Sequence, residues 1–265
     1  MSNHAQVEQP MKNLQQVDQI LAVSSAKGGV GKSTTSVNLA AALKYRGAKV
    51  GLMDCDIYGP SLPQMLNLRQ QPELTEDEEL IPPRAFGMPV ISMGLLLNQP
   101  DVPVVWRGPM LHKMIQQFLF GVQWNSLDYL ILDLPPGTGD VQLTLTQTAP
   151  ITGAIVVTTP QEVSLIDARK GIEMFTKCGI RLLGIVENMA YFVCPHCGEK
   201  DEIFKANGGQ KLAEQTQTTL LASIPILPEI PQKADQGCPI VLEQPESPAG
   251  QAYLKLAQKI EEAFQ

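Results

Sequence analysis

A chain of 265 residues with 44% hydrophobic and only 5% aromatic side chains can bury one large α/β core, and nothing in its composition calls for a second. Its formal net charge of -7 excludes a broad electrostatic footprint for nucleic acid or an anionic membrane, leaving room only for a local basic patch. No stretch approaches the roughly 18 consecutive apolar residues of a spanning helix, and Met1 to Gln19 has neither the basic start nor the apolar run of a leader, so the expectation is a cytoplasmic protein with no membrane or nucleic-acid partner.

In chain order, residues 1–19 are expected to be a flexible segment and residues 20–265 a single domain. The apolar run Ile20 to Ser24 reads as a buried parallel strand, and Ser33 to Tyr45 carries apolar residues at Val37, Leu39, Ala40, Ala41 and Leu43, suiting a helix packed on a sheet. Between them lies Ser24-Ser25-Ala26-Lys27-Gly28-Gly29-Val30-Gly31-Lys32-Ser33-Thr34, a glycine loop in the strand-loop-helix order a phosphate loop requires. Glycines let backbone N–H groups turn inward around phosphate oxygens, Lys32 can reach the β- and γ-phosphates, and the Ser33 hydroxyl can ligate Mg²⁺. Ala26 replaces the usual first glycine, which the loop tolerates if residue 26 keeps a negative φ. Lys27 is surplus to such a loop and points to a nucleotide site completed by another molecule.

Further strands are expected at 49–54, 88–93, 129–133, 154–158, 182–187 and 220–224, and helices at 109–120, 141–148, 164–177, 209–215 and 251–264. Their alternation implies a mostly parallel, doubly wound sheet of the P-loop NTPase type, in which ligands bind beyond the carboxyl ends of the strands. Two acidic motifs sit there. Asp54-Cys55-Asp56-Ile57-Tyr58-Gly59-Pro60-Ser61 follows one strand, and strand alternation puts Asp54 and Asp56 on the same side; Asp56 is the candidate for orienting the attacking water. Asp133-Leu134-Pro135-Pro136-Gly137-Thr138-Gly139-Asp140 follows another, with Asp133 placed to hold Mg²⁺ through water. The acidic segment 70–83 reads as a solvated loop, and 225–248 as another loop-rich stretch. The helix at 251–264 is expected to pack on the core, since a membrane-binding helix would be more basic.

The five cysteines, Cys55, Cys178, Cys194, Cys197 and Cys238, should be reduced thiols in a cytoplasmic setting. Cys194-Pro195-His196-Cys197 brings two sulfurs to one side of a short turn, as zinc or an iron-sulfur cluster needs. Two thiolates do not fill a four-ligand site, and His196 is poorly placed to join them. A two-fold dimer supplies the pair twice and completes the site for either zinc or a 4Fe-4S cluster.

Lys27 to Thr34 resembles the deviant phosphate loop (K-G-G-V-G-K-S/T) of the nitrogenase iron protein and the MinD and ParA ATPases. With Asp54 to Ser61, Trp106-Arg107-Gly108-Pro109-Met110, Asp133 to Asp140 and Cys194 to Cys197, the chain from about Ile20 onward is similar to the Mrp/ApbC branch, the ATP-dependent iron-sulfur cluster carriers. The resemblance implies a slow ATPase that is a homodimer, holds a labile 4Fe-4S cluster between subunits and passes it from cluster donors to apo iron-sulfur proteins. It implies that Gly28, Gly29, Val30, Gly31, Lys32, Ser33 and Thr34 bind ATP, that Lys27 reaches the partner's nucleotide, that Asp56 lies in the first switch and that Asn188 contacts adenine. The N-terminal segment lacks cysteine and the length of a small accessory domain, so the extra N-terminal cluster of some relatives is not expected. The competing readings are a positioning ATPase of the MinD or ParA kind, an ATPase with a structural zinc at its dimer interface, and a thiol oxidoreductase built on Cys194 and Cys197.

Overall fold

The computed structural model describes residues 12–57, 59–96, 108–194, 196–205 and 207–265. In chain order the elements are β1 (Val17–Ser24), α1 (Lys32–Tyr45), β2 (Val50–Asp54), α2 (Leu62–Met65), β3 (Glu73–Leu74), β4 (Leu80–Ile81), β5 (Arg84–Ala85), β6 (Met88–Ile91) and α3 (Gly108–Phe120). Then follow β7 (Leu127–Asp133), α4 (Asp140–Thr148), β8 (Gly153–Thr158), α5 (Glu162–Lys177), β9 (Leu182–Glu187), β10 (Phe192–Val193), β11 (Lys200–Asp201), α6 (Gly208–Gln215), β12 (Leu220–Ser223), α7 (Glu229–Asp235), α8 (Ile240–Glu243) and α9 (Pro248–Glu262).

The main sheet runs β12-β9-β8-β1-β7-β2-β6-β5 and is parallel except where β5 folds back on β6. This is the doubly wound P-loop NTPase architecture expected from the alternation of elements. β1 lies in the middle, paired with β7 through Val17↔Leu127 to Val23↔Asp133 and with β8 through Leu21↔Gly153 to Ser24↔Val156. Alternate residues of the same strand feed two separate cores. Leu21, Val23, Leu52, Ile131 and Val157 face α1, α8 and α9, whereas Ile20, Ala22, Met53, Leu132 and Val156 face α3, α4, α5 and α6. With both faces covered, the strands read as continuous apolar runs. Among the described residues no helix is long and apolar enough to cross a membrane. In α9, Tyr253, Leu256, Ala257 and Ile260 are buried in the first of these cores, as its apolar spacing anticipated.

The structure departs from the sequence reading in places. β1 starts at Val17, and Leu14 is already 5% exposed in the core, so the ordered chain begins before residue 20. The acidic segment at 70–83 is less loose than its charge suggested. β3 and β4 pair antiparallel, and the Glu79 carboxylate accepts from Asn13 at 3.2 Å and Gln123 at 2.6 Å. In 225–248, α7 and α8 interrupt the loop. Trp106, Arg107 and His4 lie outside the described residues.

Candidate functional site

At the carboxyl end of β1 the chain turns from Ser25 through the glycine loop into α1. Gly29 and Gly31 adopt φ of 80° and 86°, left-handed values that favour glycine. Ala26 is not among the positive-φ residues, so its methyl group is compatible with the loop. Lys27 is exposed, its carbonyl accepting from Ser25 Oγ at 2.9 Å. Lys32 is instead buried, 6% exposed, with Nζ 2.8 Å from Asp133 Oδ2. The two lysines thus occupy different environments, which fits different tasks.

Asp133 ends β7 and is fully buried. Its Oδ2 accepts from Ser33 Oγ at 2.6 Å, and Oδ1 accepts from Ser36 Oγ at 2.6 Å. A buried carboxylate with one cation and two hydroxyl donors is electrostatically satisfied, and removing the cation would strand it. Ser33 and Asp133, a hydroxyl and a carboxylate in contact at the strand end, are the hard oxygen donors Mg²⁺ prefers, so the residues fit that ion. The loop after β7 is tied to the phosphate loop by Leu134 N donating to Val23 O at 3.0 Å and Gly137 N donating to Ser25 O at 2.9 Å.

Asp54 and Asp56 do not share one environment. β2 ends at Asp54, whose side chain is 1% exposed, and the chain then turns so that Asp56 N donates to Asp54 Oδ1 at 3.1 Å. Asp56 is half-buried in the following loop. The strand alternation expected to align them stops at Asp54, two residues short of Asp56. Asp54 Oδ2 also accepts from Leu62 N at 3.3 Å and Ser92 Oγ at 3.0 Å. Burial, with nearby Asp133 adding to it and Lys32 opposing it, pushes the Asp54 carboxyl up to about 7. Burial likewise pushes the Cys55 thiol well above its ordinary range, making it a packing residue and not a ligand.

Asn188 follows β9. It is 7% exposed, its Nδ2 donates to Val30 O at 2.9 Å, and its backbone N donates to Thr158 O at 2.8 Å. A Cβ at Gly31 would lie 2.1 Å from Asn188 Nδ2, so this close approach needs glycine. Beyond Asn188 the chain passes through Met189, at φ 55°, and is pinned by Ala190 N to Ile224 O at 2.9 Å and Ile226 N to Tyr191 O at 2.7 Å. It then enters the β10–β11 hairpin. At the tip, Cys194 N donates to Glu199 O at 2.9 Å and Gly198 N donates to Cys194 O at 2.8 Å, with Gly198 at φ 73°. Hydrogen bonds from the Cys197 and His196 backbone N–H groups, and from the Cys197 thiol, hold the Cys194 thiol below the usual cysteine range. Cys197 is exposed and Cys194 partly so. The tip therefore holds two accessible cysteines, one with its thiol pKa lowered by local hydrogen bonds. Among the described residues no group of three or more His, Cys, Asp or Glu side chains converges for a metal ion.

A family model described as the ParA, NUBPL iron-transfer P-loop NTPase matches residues 16–261. The chain belongs to this family of iron-transfer P-loop NTPases. It is 50% identical over 250 residues to the iron-sulfur cluster carrier protein of Synechocystis, spanning 92% of this chain and 70% of that one. It is 46% identical over 245 residues to the iron-sulfur protein required for NADH dehydrogenase, mitochondrial, of Arabidopsis thaliana, spanning 92% and 78%. The nucleotide-binding protein of Archaeoglobus fulgidus, solved in complex with ADP and with cobalt, superposes with a TM-score of 0.80 at 37% identity, covering 91% of this chain and 93% of that one. The cell-division ATPase MinD of Pyrococcus furiosus shares the fold, with a TM-score of 0.69 at 23% identity over 93% of this chain and 99% of that one.

Several residues of this candidate site escaped the sequence reading. Ser36 lies one helical turn beyond Ser33, a spacing that places both hydroxyls on the Asp133 side of α1. Gln142, 1% exposed in α4, donates through Nε2 to Ser24 Oγ and Pro135 O, each at 2.8 Å, clamping the loop after β7 to the end of β1. Nothing local marks Ser92, which meets Asp54 only because β6 lies beside β2.

Proposed function

We propose that the chain is an ATP-binding and ATP-hydrolysing carrier that holds a labile 4Fe-4S cluster between two subunits and hands it to apo iron-sulfur proteins. Gly28 to Thr34 bind the phosphates, Lys32 and Ser33 with Asp133 serve the β- and γ-phosphates and Mg²⁺, and Asp56 orients the attacking water. Lys27, exposed on the loop, reaches the nucleotide of the partner subunit. Cys194 and Cys197 from each of two subunits supply the four thiolates. The acting unit is the single domain that includes β1 from Val17 onward, working as a cytoplasmic homodimer that is loaded by cluster donors.

The observation that carries this reading is the path from Asn188, hydrogen-bonded to the phosphate loop, to Cys194 six residues later. A rearrangement of the loop on binding or losing a γ-phosphate moves Asn188, and the chain leads directly to the exposed sulfurs. Thiolates on a short exposed hairpin release a cargo more readily than thiolates buried in a core. Asn188 contacts the adenine of the bound nucleotide. The carrier names of the relatives point the same way.

Zinc on the same four sulfurs is the second reading, favoured by the tetrahedral preference of paired thiolates. Anaerobic reconstitution with iron and sulfide decides between them, comparing wild type with Cys194→Ala and Cys197→Ala. Visible cluster absorbance in wild type and its loss in both variants is the expected result. Unchanged absorbance in the variants, or a wild type that takes up zinc alone, removes the carrier reading.

A further inference from the structure

Beside the cysteine hairpin, α5 and α6 enclose a cleft of about 220 Å³ lined by Glu162, Ile166, Arg169, Lys205 and Lys211 among others. Its charge is opposite to that of the molecule. Three cations face one carboxylate there, in a chain whose net charge is -7, and that carboxylate is already engaged, with Lys205 Nζ 2.7 Å from Glu162 Oε2. Arg169 and Lys211 both remain exposed. Arg169 is steadied by Gln215, to whose Oε1 it donates, so its guanidinium is held at the cleft wall.

Ile166, 52% exposed, lines the cleft, and further exposed apolar residues adjoin its lining residues in sequence: Val163 on α5 is 59% exposed, and Ile203 and Phe204, just after β11, are 53% and 42% exposed. The two pairs flank the Lys205–Glu162 bridge, which fastens the chain leaving the hairpin to the first turn of α5. Single exposed apolar residues mean little, but Ile166 in the basic cleft, with Val163 and Phe204 next in sequence to the bridged Glu162 and Lys205 that line it, gives the surface a mixed character. Lys205 follows Cys197 by eight residues, so the cleft lies within about 28 Å of the exposed sulfur even along a fully extended chain.

We propose that this cleft is the docking surface for an acidic segment of a partner protein bearing exposed leucine-like side chains, whose carboxylates meet Arg169 and Lys211 while its apolar groups cover Ile166 and Phe204. Charge complementarity selects the occupant, because a second copy of this acidic chain would bring mostly like charge to its own remaining surface, whereas an acidic peptide meets its counter-ions here. The inference deepens the carrier reading, since a partner held at this cleft is a protein within reach of Cys194 and Cys197. Long-range attraction also speeds encounter, which suits a brief transfer contact.

The test uses the full chain and a fluorescently labelled synthetic peptide of alternating glutamate and leucine, with a lysine-leucine peptide as control, read by anisotropy. The acidic peptide binds and the basic one does not; raising salt from about 0.05 to 0.5 M weakens binding about five-fold or more. Arg169→Glu combined with Lys211→Glu weakens it at least about ten-fold, and Ile166→Asp weakens it as well. Both variants keep the wild-type melting temperature and the wild-type cluster absorbance after reconstitution. No binding of the acidic peptide, or binding equal in wild type and variants, overturns the proposal. So does a change in solution mass by light scattering on charge reversal, which would make this face a subunit interface. Failure of wild type to take up a cluster sinks the carrier reading and leaves the peptide result standing by itself.

Discussion

The phosphate loop and the cysteine hairpin are built on opposite principles, although six residues of chain link Asn188 to Cys194. Both carboxylate oxygens of Asp133 are held. Lys32, Ser33 and Ser36 converge on one fully buried carboxylate, and Asp54 alongside collects Asp56 N, Leu62 N and Ser92 Oγ. The hairpin has two residues per strand, no buried side chain among Phe192, Val193, Lys200 and Asp201, and its sulfurs at the surface. The first region fixes charge in place, whereas the second leaves its two cysteines accessible. Substitutions should therefore do their damage in different currencies on the two sides.

The largest effect is expected from Lys32→Ala. It removes the phosphate contact and leaves Asp133 buried without its cation, so ATP affinity measured by calorimetry falls at least about a hundred-fold and unfolding stability drops by about 3 kcal/mol. On the other side of the comparison, Cys194→Ala and Cys197→Ala abolish cluster absorbance while shifting the melting temperature by less than about 2 °C, because the exposed hairpin contributes little to the core. A large melting shift in the cysteine variants would erase the contrast between the two regions.

Asp54 sharpens the contrast through pH. Its folded pKa of about 7 lies above the unfolded carboxylate value, so the native state holds the proton more tightly. Its contribution to stability is complete below about pH 4 and is lost as pH rises through about 7. Melting curves between about pH 5 and 8 should show a decline for wild type that is flattened in Asp54→Asn, by on the order of 5 °C, even if the variant is less stable throughout. Parallel pH profiles for the two proteins would mean that Asp54 does not titrate there.

Smaller effects test the connection itself. Asn188→Ala removes one hydrogen bond to Val30 O and should weaken ATP binding about five-fold. Lys27→Ala should reduce nucleotide-dependent cluster transfer more than it reduces nucleotide binding, since its side chain is exposed while Lys32 is the lysine buried against Asp133. Equal losses would place the work of Lys27 within its own subunit.

The sequence made the densest part of the site readable because the phosphate loop is continuous. Gly28 to Thr34 announce their own conformation, and the expected strand-loop-helix order is the one found from β1 to α1. Asp133 was legible from a neighbouring strand end for the same reason. Asp54 and Asp56 show the limit: a period of two holds only inside a strand, and β2 ends at Asp54. Ser92 and Gln142 were silent because their partners lie 38 and 118 residues away, on contacts that only the folded sheet creates. The short β3, β4, β10 and β11 segments, two residues each, carry too little pattern to declare themselves.

Gly31 has a consequence for how this site can vary. Two unrelated demands fall on one hydrogen atom: a φ of 86°, and a distance of 2.1 Å from a would-be methyl group to Asn188 Nδ2. Trimming Asn188 relieves the second and leaves the first untouched, so a change at 188 offsets only part of the cost of a side chain at 31. A genetic screen for suppressors of Gly31→Ala should return true revertants to glycine as full rescues and changes at 188 only as partial ones.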